Sequence, residues 1–203
     1  PATNLVAGDI AIIAYNTSGS PDNFTILVLN DLTAGTKFYV NDNEVSSAGG
    51  GSFTDLSEGE AVFTVKAGQT IPAGTVVVLP WGSGAVSTSS YDWSTTSGFG
   101  LGNNNEEIYI YTANALTDLT PSSFIYFAKI GSSSGSVPSG LTSGYTAISP
   151  AGSSLRYKTA GALYSSCKQY LLDAIASTIT NWNSNGAATV TPGDWTFSVL
   201  PVC

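Results

Sequence analysis

The stretch GFGLGNNNEEIYIYT (98–112) sets three asparagines and two glutamates directly before an alternating aromatic run. Their side chains are rich in oxygen. The stretch can therefore be a cation site, a catalytic carboxylate pair, or a turn that feeds a strand. Side chains alternate along a strand, which puts Glu107, Tyr109 and Tyr111 on one face and Ile108 and Ile110 on the other. Glu106 and Glu107 then point apart, as a carboxylate pair must not. Asparagines at 103–105 suit turns, where their side chains bond the local backbone. The stretch reads as a turn and a strand, with Glu106 held over for a Ca²⁺ alternative. That alternative needs several converging oxygens, and the Asp, Gly and late Glu order of an EF-hand loop is absent.

A second acidic group lies in NDNEV (41–45) and DLSEGE (55–60). If these segments flank one hairpin, Asp42, Glu44, Asp55, Glu58 and Glu60 supply hard oxygen ligands, and Ca²⁺ is the ion that suits them. The bland reading is a solvated acidic loop. A glycosidase would need two carboxyls in one cleft with one pKa raised, and no spacing selects such a pair. Aromatic side chains give a third chemistry. Trp81, Tyr91 and Trp93 sit among polar residues, and rings exposed there can stack on sugar faces. The alternative role for these rings, and for Trp182 and Trp195, is core packing.

Absences narrow the chemistry further. The chain has no histidine, so the commonest general base and the Ser-His and Cys-His nucleophile pairs are missing. Its two cysteines, Cys167 and Cys203, are too few for a zinc site. A Cys167–Cys203 disulfide is the simpler expectation, worth about 4 kcal/mol in the chain-entropy model and indicating an oxidising compartment. SSCK (165–168) holds a serine and a lysine, but it opens a helical pattern where serines cap. The net charge of −8 and only six basic residues argue against nucleic acid. No apolar run reaches the roughly 20 residues of a membrane span. The chain starts without Met, which reads as a processed, exported form. Asn16-Thr-Ser and Asn23-Phe-Thr fit the N-glycosylation sequon.

The elements that must hold these residues are mostly strands. Eight short β-branched and aromatic runs, at 9–15, 24–30, 36–42, 61–67, 75–81, 107–113, 123–130 and 194–200, are separated by Gly, Pro, Asn and Ser. That is the pattern of a sandwich or barrel, and the expectation is one all-β antiparallel sandwich domain over residues 1–203. LTAGT and IPAGT both predict a tight turn with glycine at positive φ before a strand. In SCKQYLLDAIASTITNW the apolar residues recur every three and four, which predicts a helix over 167–179 within 166–180. Ser166 and Gln169 have the spacing of a capping box. The Ser/Gly-rich segment 131–144, within a poorly patterned region 131–161, predicts a mobile surface loop.

TIPAGTVVVL, then GFGLGNNNEEIYIYT, then a FIYF strand, resembles the lamin-tail-like family, and the opening GDIAIIAYNTSGSPDNFTILVLNDLTAGTKFYVNDN is similar to secreted bacterial proteins of the same mould. The AIASTITNWNSNG helix end is similar too. The resemblance implies an immunoglobulin-like β-sandwich, exported, acting as an accessory or surface module without catalytic residues. The chain departs from that pattern at VNDNEV and through 131–161. The expectation is a non-catalytic secreted structural or interaction subunit that meets like subunits or other surface proteins. The alternative is a carbohydrate-binding module, Ca²⁺-assisted, with polysaccharide as partner.

Overall fold

The computed structural model describes residues 1–17, 22–82, 85–96, 98–102, 105–152, 154–157, 163–177, 181–184 and 190–203. The first half of the chain forms β1 (Ile10–Asn16), β2 (Asn23–Val28), β3 (Leu32–Thr33), β4 (Lys37–Asn41), β5 (Glu60–Val65), β6 (Thr70–Ile71), β7 (Val76–Pro80), β8 (Val86–Ser87) and β9 (Tyr91–Thr95). The second half forms β10 (Asn105–Thr112), β11 (Ser123–Gly131), β12 (Ala147–Ile148), β13 (Ser154–Tyr157), β14 (Leu163–Cys167), helix α1 (Lys168–Ala176), β15 (Trp182–Ser184) and β16 (Thr196–Leu200). Each of the eight predicted runs contains a strand. The chain is mainly β, and no described helix is long and apolar enough to cross a membrane.

Two large sheets carry the fold. One has five strands in the order β15-β13-β1-β2-β7; the other has seven, β12-β11-β10-β4-β5-β9-β8. Their neighbours are antiparallel except for the two-residue pairing of β12 on β11. One apolar cluster joins Ile10, Ile12, Phe24 and Ile26 of the first sheet to Phe38, Phe63, Ile108 and Ile110 of the second. The other face of β10 carries Tyr109 and Tyr111, which pack in a second cluster with Tyr39, Phe53, Phe124 and Phe127. The alternation read from the sequence thus assigns each face of β10 to a different core.

This second cluster changes the status of the Ser/Gly-rich segment. Ser133, Gly135 and Pro138 are buried, and Val137 and Leu141 pack against the aromatic cluster. The expected mobile loop is instead a cover over the outer face of the seven-stranded sheet. Its polar composition is tolerated because its groups are used. Ser133 Oγ donates to Glu107 Oε1 and accepts the Gly135 amide at 2.9 Å. Gly135 has no room for a side chain, since an added Cβ would lie 2.2 Å from Glu107 Cγ.

The predicted turn glycines sit as expected, with φ of 83° at Gly35 and 91° at Gly74. At Gly74 a Cβ would also approach the Phe197 carbonyl oxygen to 2.7 Å, so β16 packs tightly on this turn. The helix differs from its prediction. It starts at Lys168, because 163–167 form β14 in a parallel pair with β16 that sets Ser166 against Val199 and Cys167 against Leu200. Ser166 therefore cannot cap; the N-cap is Cys167, without a side-chain hydrogen bond. Ile179 and the expected helix end lie outside the described residues. The described part buries Leu171, Leu172 and Ile175. The disulfide joins Cys167 to Cys203 with Cα atoms 5.1 Å apart, which ties the start of α1 to the last residue.

Candidate functional site

The acidic residues sort by strand register and face. Asn41 pairs with both Glu60 and Tyr109, which places the ends of β4 and β5 beside the start of β10. Glu60 turns toward the tyrosine cluster, where the Tyr111 hydroxyl donates to its Oε1 at 2.9 Å. Burial raises its pKa and that hydroxyl opposes the rise. Asp55 serves its own turn, accepting the Ser57 amide at 2.9 Å and the Ser57 hydroxyl at 2.7 Å. Those bonds hold its pKa below the usual carboxylate range. Glu60 is thus turned away from the expected single calcium cluster, whereas Asp55 is held by its own turn and its charge still acts on Glu58.

Asp42, Glu44, Glu58, Glu106 and Glu107 influence one another, and Asp55 and Asp22 reach this group through Glu58 and Glu106. Asp42 is only 2% exposed; its Oδ1 has no hydrogen-bond partner, while its carboxyl takes its own backbone amide. Burial pushes its pKa up to about 9, and the charges of Glu106, Glu58 and Glu107 add to the rise. Burial also raises Glu107 to about 7, with Glu44, Glu106 and Glu58 contributing and the Gly135 amide opposing. Glu106 is half-buried and Oε1 accepts the Gly102 amide at 2.7 Å, which closes the turn before β10. Glu44 and Glu58 are exposed. Asn43 organises the facing turn, with Oδ1 accepting the Glu58 amide at 3.1 Å and Nδ2 donating to the Gly59 carbonyl at 3.3 Å.

Among the described residues no ion pair offsets this charge. Among the described residues the ion pairs are Lys66–Asp92, Arg156–Asp194 and Lys168–Asp9. Lys129 stands opposite Glu107 across β10 and β11 but makes no ion pair with it. Three or more acids do not stand together as a ready metal clasp among the described residues. Glu106 and Glu107 do serve a turn and a strand on opposite faces, yet both also contribute to one acidic end. Glu107 was not foreseen as a member, because its burial depends on Ser133, distant in sequence.

The aromatic candidates lie elsewhere and inside. Trp81 is 2% exposed and Trp93 is fully buried. Trp81 stacks on Phe99 with centroids 4.0 Å apart, and the Trp93 indole donates to the Pro80 carbonyl at 3.1 Å. Tyr91 is half-buried and stacked on Phe63 at 4.6 Å. Both tryptophans are core rings, which corrects the reading of a surface stacking platform. Trp182 and Trp195 are buried too, donating to the carbonyls of Ile175 and Tyr157. Of the sequon asparagines, Asn16 is 3% exposed and accepts the Ser154 hydroxyl, a position that a glycan reaches only if β1 opens. Asn23 is half-buried at the start of β2, with an orphaned Oδ1. Lys168 is engaged with buried Asp9 at 2.5 Å, not with a serine nucleophile.

Among the described residues β7 is one terminal strand of the five-stranded sheet, with the 192–194 turn packed beside it. The Val28 amide donates to the Thr75 carbonyl, and the Trp81 amide donates to the Asp22 carbonyl. An antiparallel ladder alternates every two residues, so Val77 and Leu79 also bond inward to β2. The amides and carbonyls of Val76 and Val78 then face outward. Pro80 has no amide, and its carbonyl is taken by Trp93. A groove of about 360 Å³ runs beside this edge, lined by Ile71, Pro72, Val76–Val78, Thr88–Tyr91 and Pro192, without a charged residue.

Comparison with family models, with curated proteins and with solved structures returned no match, so the resemblance to lamin-tail-like domains rests on its short motifs alone.

Proposed function

We propose that this chain is a non-catalytic, exported structural or interaction subunit, an immunoglobulin-like β-sandwich in the lamin-tail-like mould, that associates with further copies of itself through the edge of β7. The observation that carries the reading is the uncharged outer edge of β7 and the uncharged groove beside it, lined by valines and by Thr and Ser. Natural sheets protect free edges with lysine, proline or a covering loop. Here Pro80 ends the strand and the 192–194 turn packs beside it, while Val76 and Val78 keep backbone groups that β2 does not use. Each copy bears a net charge of −8, so two copies repel except where they meet on uncharged surface. The edge of β7 and its groove are such a surface. A second β7 laid antiparallel across it would extend the five-stranded sheet by strand addition.

The disulfide suits an oxidising compartment, which supports export. The reading without turnover is supported by the residue inventory. The chain has no histidine, both thiols are bonded to each other, and Lys168 is held by Asp9. The carbohydrate-binding alternative is weaker, because two of the three rings that suggested it, Trp81 and Trp93, are core rings and the third, Tyr91, is half-buried on Phe63. The test is the mass of the particle across a concentration series. Self-association predicts a mass that rises above the 20.8 kDa of one chain, and a constant mass at that value would refute it.

A further inference from the structure

We propose that Lys168 and Asp9 condense within the folded chain into a side-chain amide, a covalent cross-link between the start of β1 and the start of α1. The placement of the two reacting groups carries this. Lys168 Nζ stands 2.5 Å from Asp9 Oδ1. The Asp9 side chain is 1% exposed, and its other oxygen, Oδ2, accepts the Val6 amide at 2.8 Å. The carboxyl is thus fixed, with one oxygen held by a backbone N–H and the other facing the amine. Its carbon lies one bond beyond Oδ1, close to the roughly 3–3.5 Å of a near-attack pair. The helix can bring Lys168 this close because residue 8 is glycine. A Cβ there would meet Leu172 Cδ1 at 2.7 Å and stand 3.5 Å from Lys168 Cε, and the φ of 81° favours glycine as well. The other ion pairs among the described residues are differently built. Lys66–Asp92 and Arg156–Asp194 are longer, at 3.3 and 3.6 Å, and their carboxylates are 54% and 23% exposed.

The step needs no outside reagent. The ammonium passes one proton to the carboxylate along their contact, which leaves a neutral amine and a carboxylic acid. The Nζ lone pair attacks Cγ, and negative charge builds on Oδ2, where the Val6 N–H already donates. The N–C bond forms and the Cγ–Oδ1 bond breaks. Oδ1 leaves as water, carrying its own proton and one from the nitrogen. The amide keeps Oδ2 as its carbonyl oxygen and one N–H. Free in water, an amine and a carboxylate do not condense in this way. Holding them in contact is worth an effective concentration of about 10⁵–10⁸ M, which drives the step forward. A cavity of about 500 Å³ lined by Val6, Asp9, Leu29, Asp31, Lys168 and Leu200 gives the water an exit. The cross-link closes a covalent ring that contains β1 to β14, and the disulfide carries it on to Cys203. It does not depend on association through β7.

The experiment is intact-mass spectrometry of the full chain, folded at neutral pH and then reduced and denatured. We expect a mass below that of the sequence by one water, and, after proteolysis, a branched peptide that joins the Asp9 and Lys168 segments. Lys168→Arg keeps a positive charge beside Asp9 but offers a guanidinium that does not condense, so it should show the full mass. Should that variant fail to fold, the wild-type mass and the branched peptide still decide the question. A wild type at full sequence mass after prolonged incubation would overturn the proposal and leave a plain ion pair. A water loss without the branched peptide, or one that persists in Lys168→Arg, would overturn it too, because the loss would then be a succinimide ring at an aspartate.

Discussion

Replacing Asp42 by Asn should make the protein more stable at neutral pH in calcium-free buffer, and the gain should grow with pH. The cause is the mismatch between folded and unfolded carboxyl groups. In the fold Asp42 titrates at about 9, against 3.8 for the same group in water. Between those values the folded chain holds a proton that the unfolded chain has released. Stability is therefore complete below about pH 4, falls as pH rises, and levels off above about pH 9. At 1.36 kcal/mol per unit, the ceiling is about 4 kcal/mol lost by pH 7 and about 7 kcal/mol by pH 9. Water entry and side-chain rearrangement will reduce both figures. Asparagine has nearly the same shape and no charge to bury, so it avoids this loss. The assay is urea unfolding of both proteins in EDTA from pH 4 to pH 9. The difference between the two curves isolates Asp42 from the other raised acids. Wild type and variant should be nearly equal at pH 4 and separate steadily above it. Parallel curves across the range would refute the reasoning, because they would mean that Asp42 ionises in the fold as freely as in water.

Gly135→Ala should lower stability by about 1–3 kcal/mol by urea unfolding, the cost of forcing a methyl into packed space, since its Cβ would meet Glu107; an unchanged midpoint would restore the mobile-loop reading of 131–144. Cys203→Ser should cost about 4 kcal/mol in the chain-entropy model for a bridge spanning 36 residues, read by the same assay with and without reductant on the wild type. Intrinsic fluorescence should show tryptophans shielded from iodide quenching and unmoved by soluble polysaccharides, because Trp81, Trp93, Trp182 and Trp195 are buried; ready quenching would mean that at least one ring is at the surface.

The strands were legible because their cause is local. Alternation of apolar and polar residues marks a strand wherever one face is buried, and β10 declares both of its cores within eight residues. The strand β9 is not among the eight predicted runs, yet Tyr91 and Trp93 alternate with Asp92 and Ser94 in the same period, so the signal is present beneath a polar composition. The helix start was hidden for another reason. Ser166 has the chemistry of a cap, but the pairing of β14 with the chain terminus pulls it into a strand. No local pattern predicts a partner more than 30 residues away. The acidic end was half-visible. Asp42, Glu44, Glu58 and Glu106 were named from composition, whereas Glu60 and Asp55 belong to other partners and Glu107 joins through Ser133. Charge in a sequence shows which residues carry it, and register decides which of them meet.

The central claim is association through β7, and sedimentation velocity on wild type and Val78→Lys tests it most directly. Val78 is half-buried with its backbone outward, so a lysine there places charge on the edge while the inward bonds of Val77 and Leu79 to β2 remain. Wild type should sediment as a species heavier than 20.8 kDa that grows with concentration, and Val78→Lys should sediment as single chains with an unchanged circular dichroism spectrum. A wild type that stays monomeric at every concentration, or a Val78→Lys variant that assembles as well as the wild type, would contradict the account.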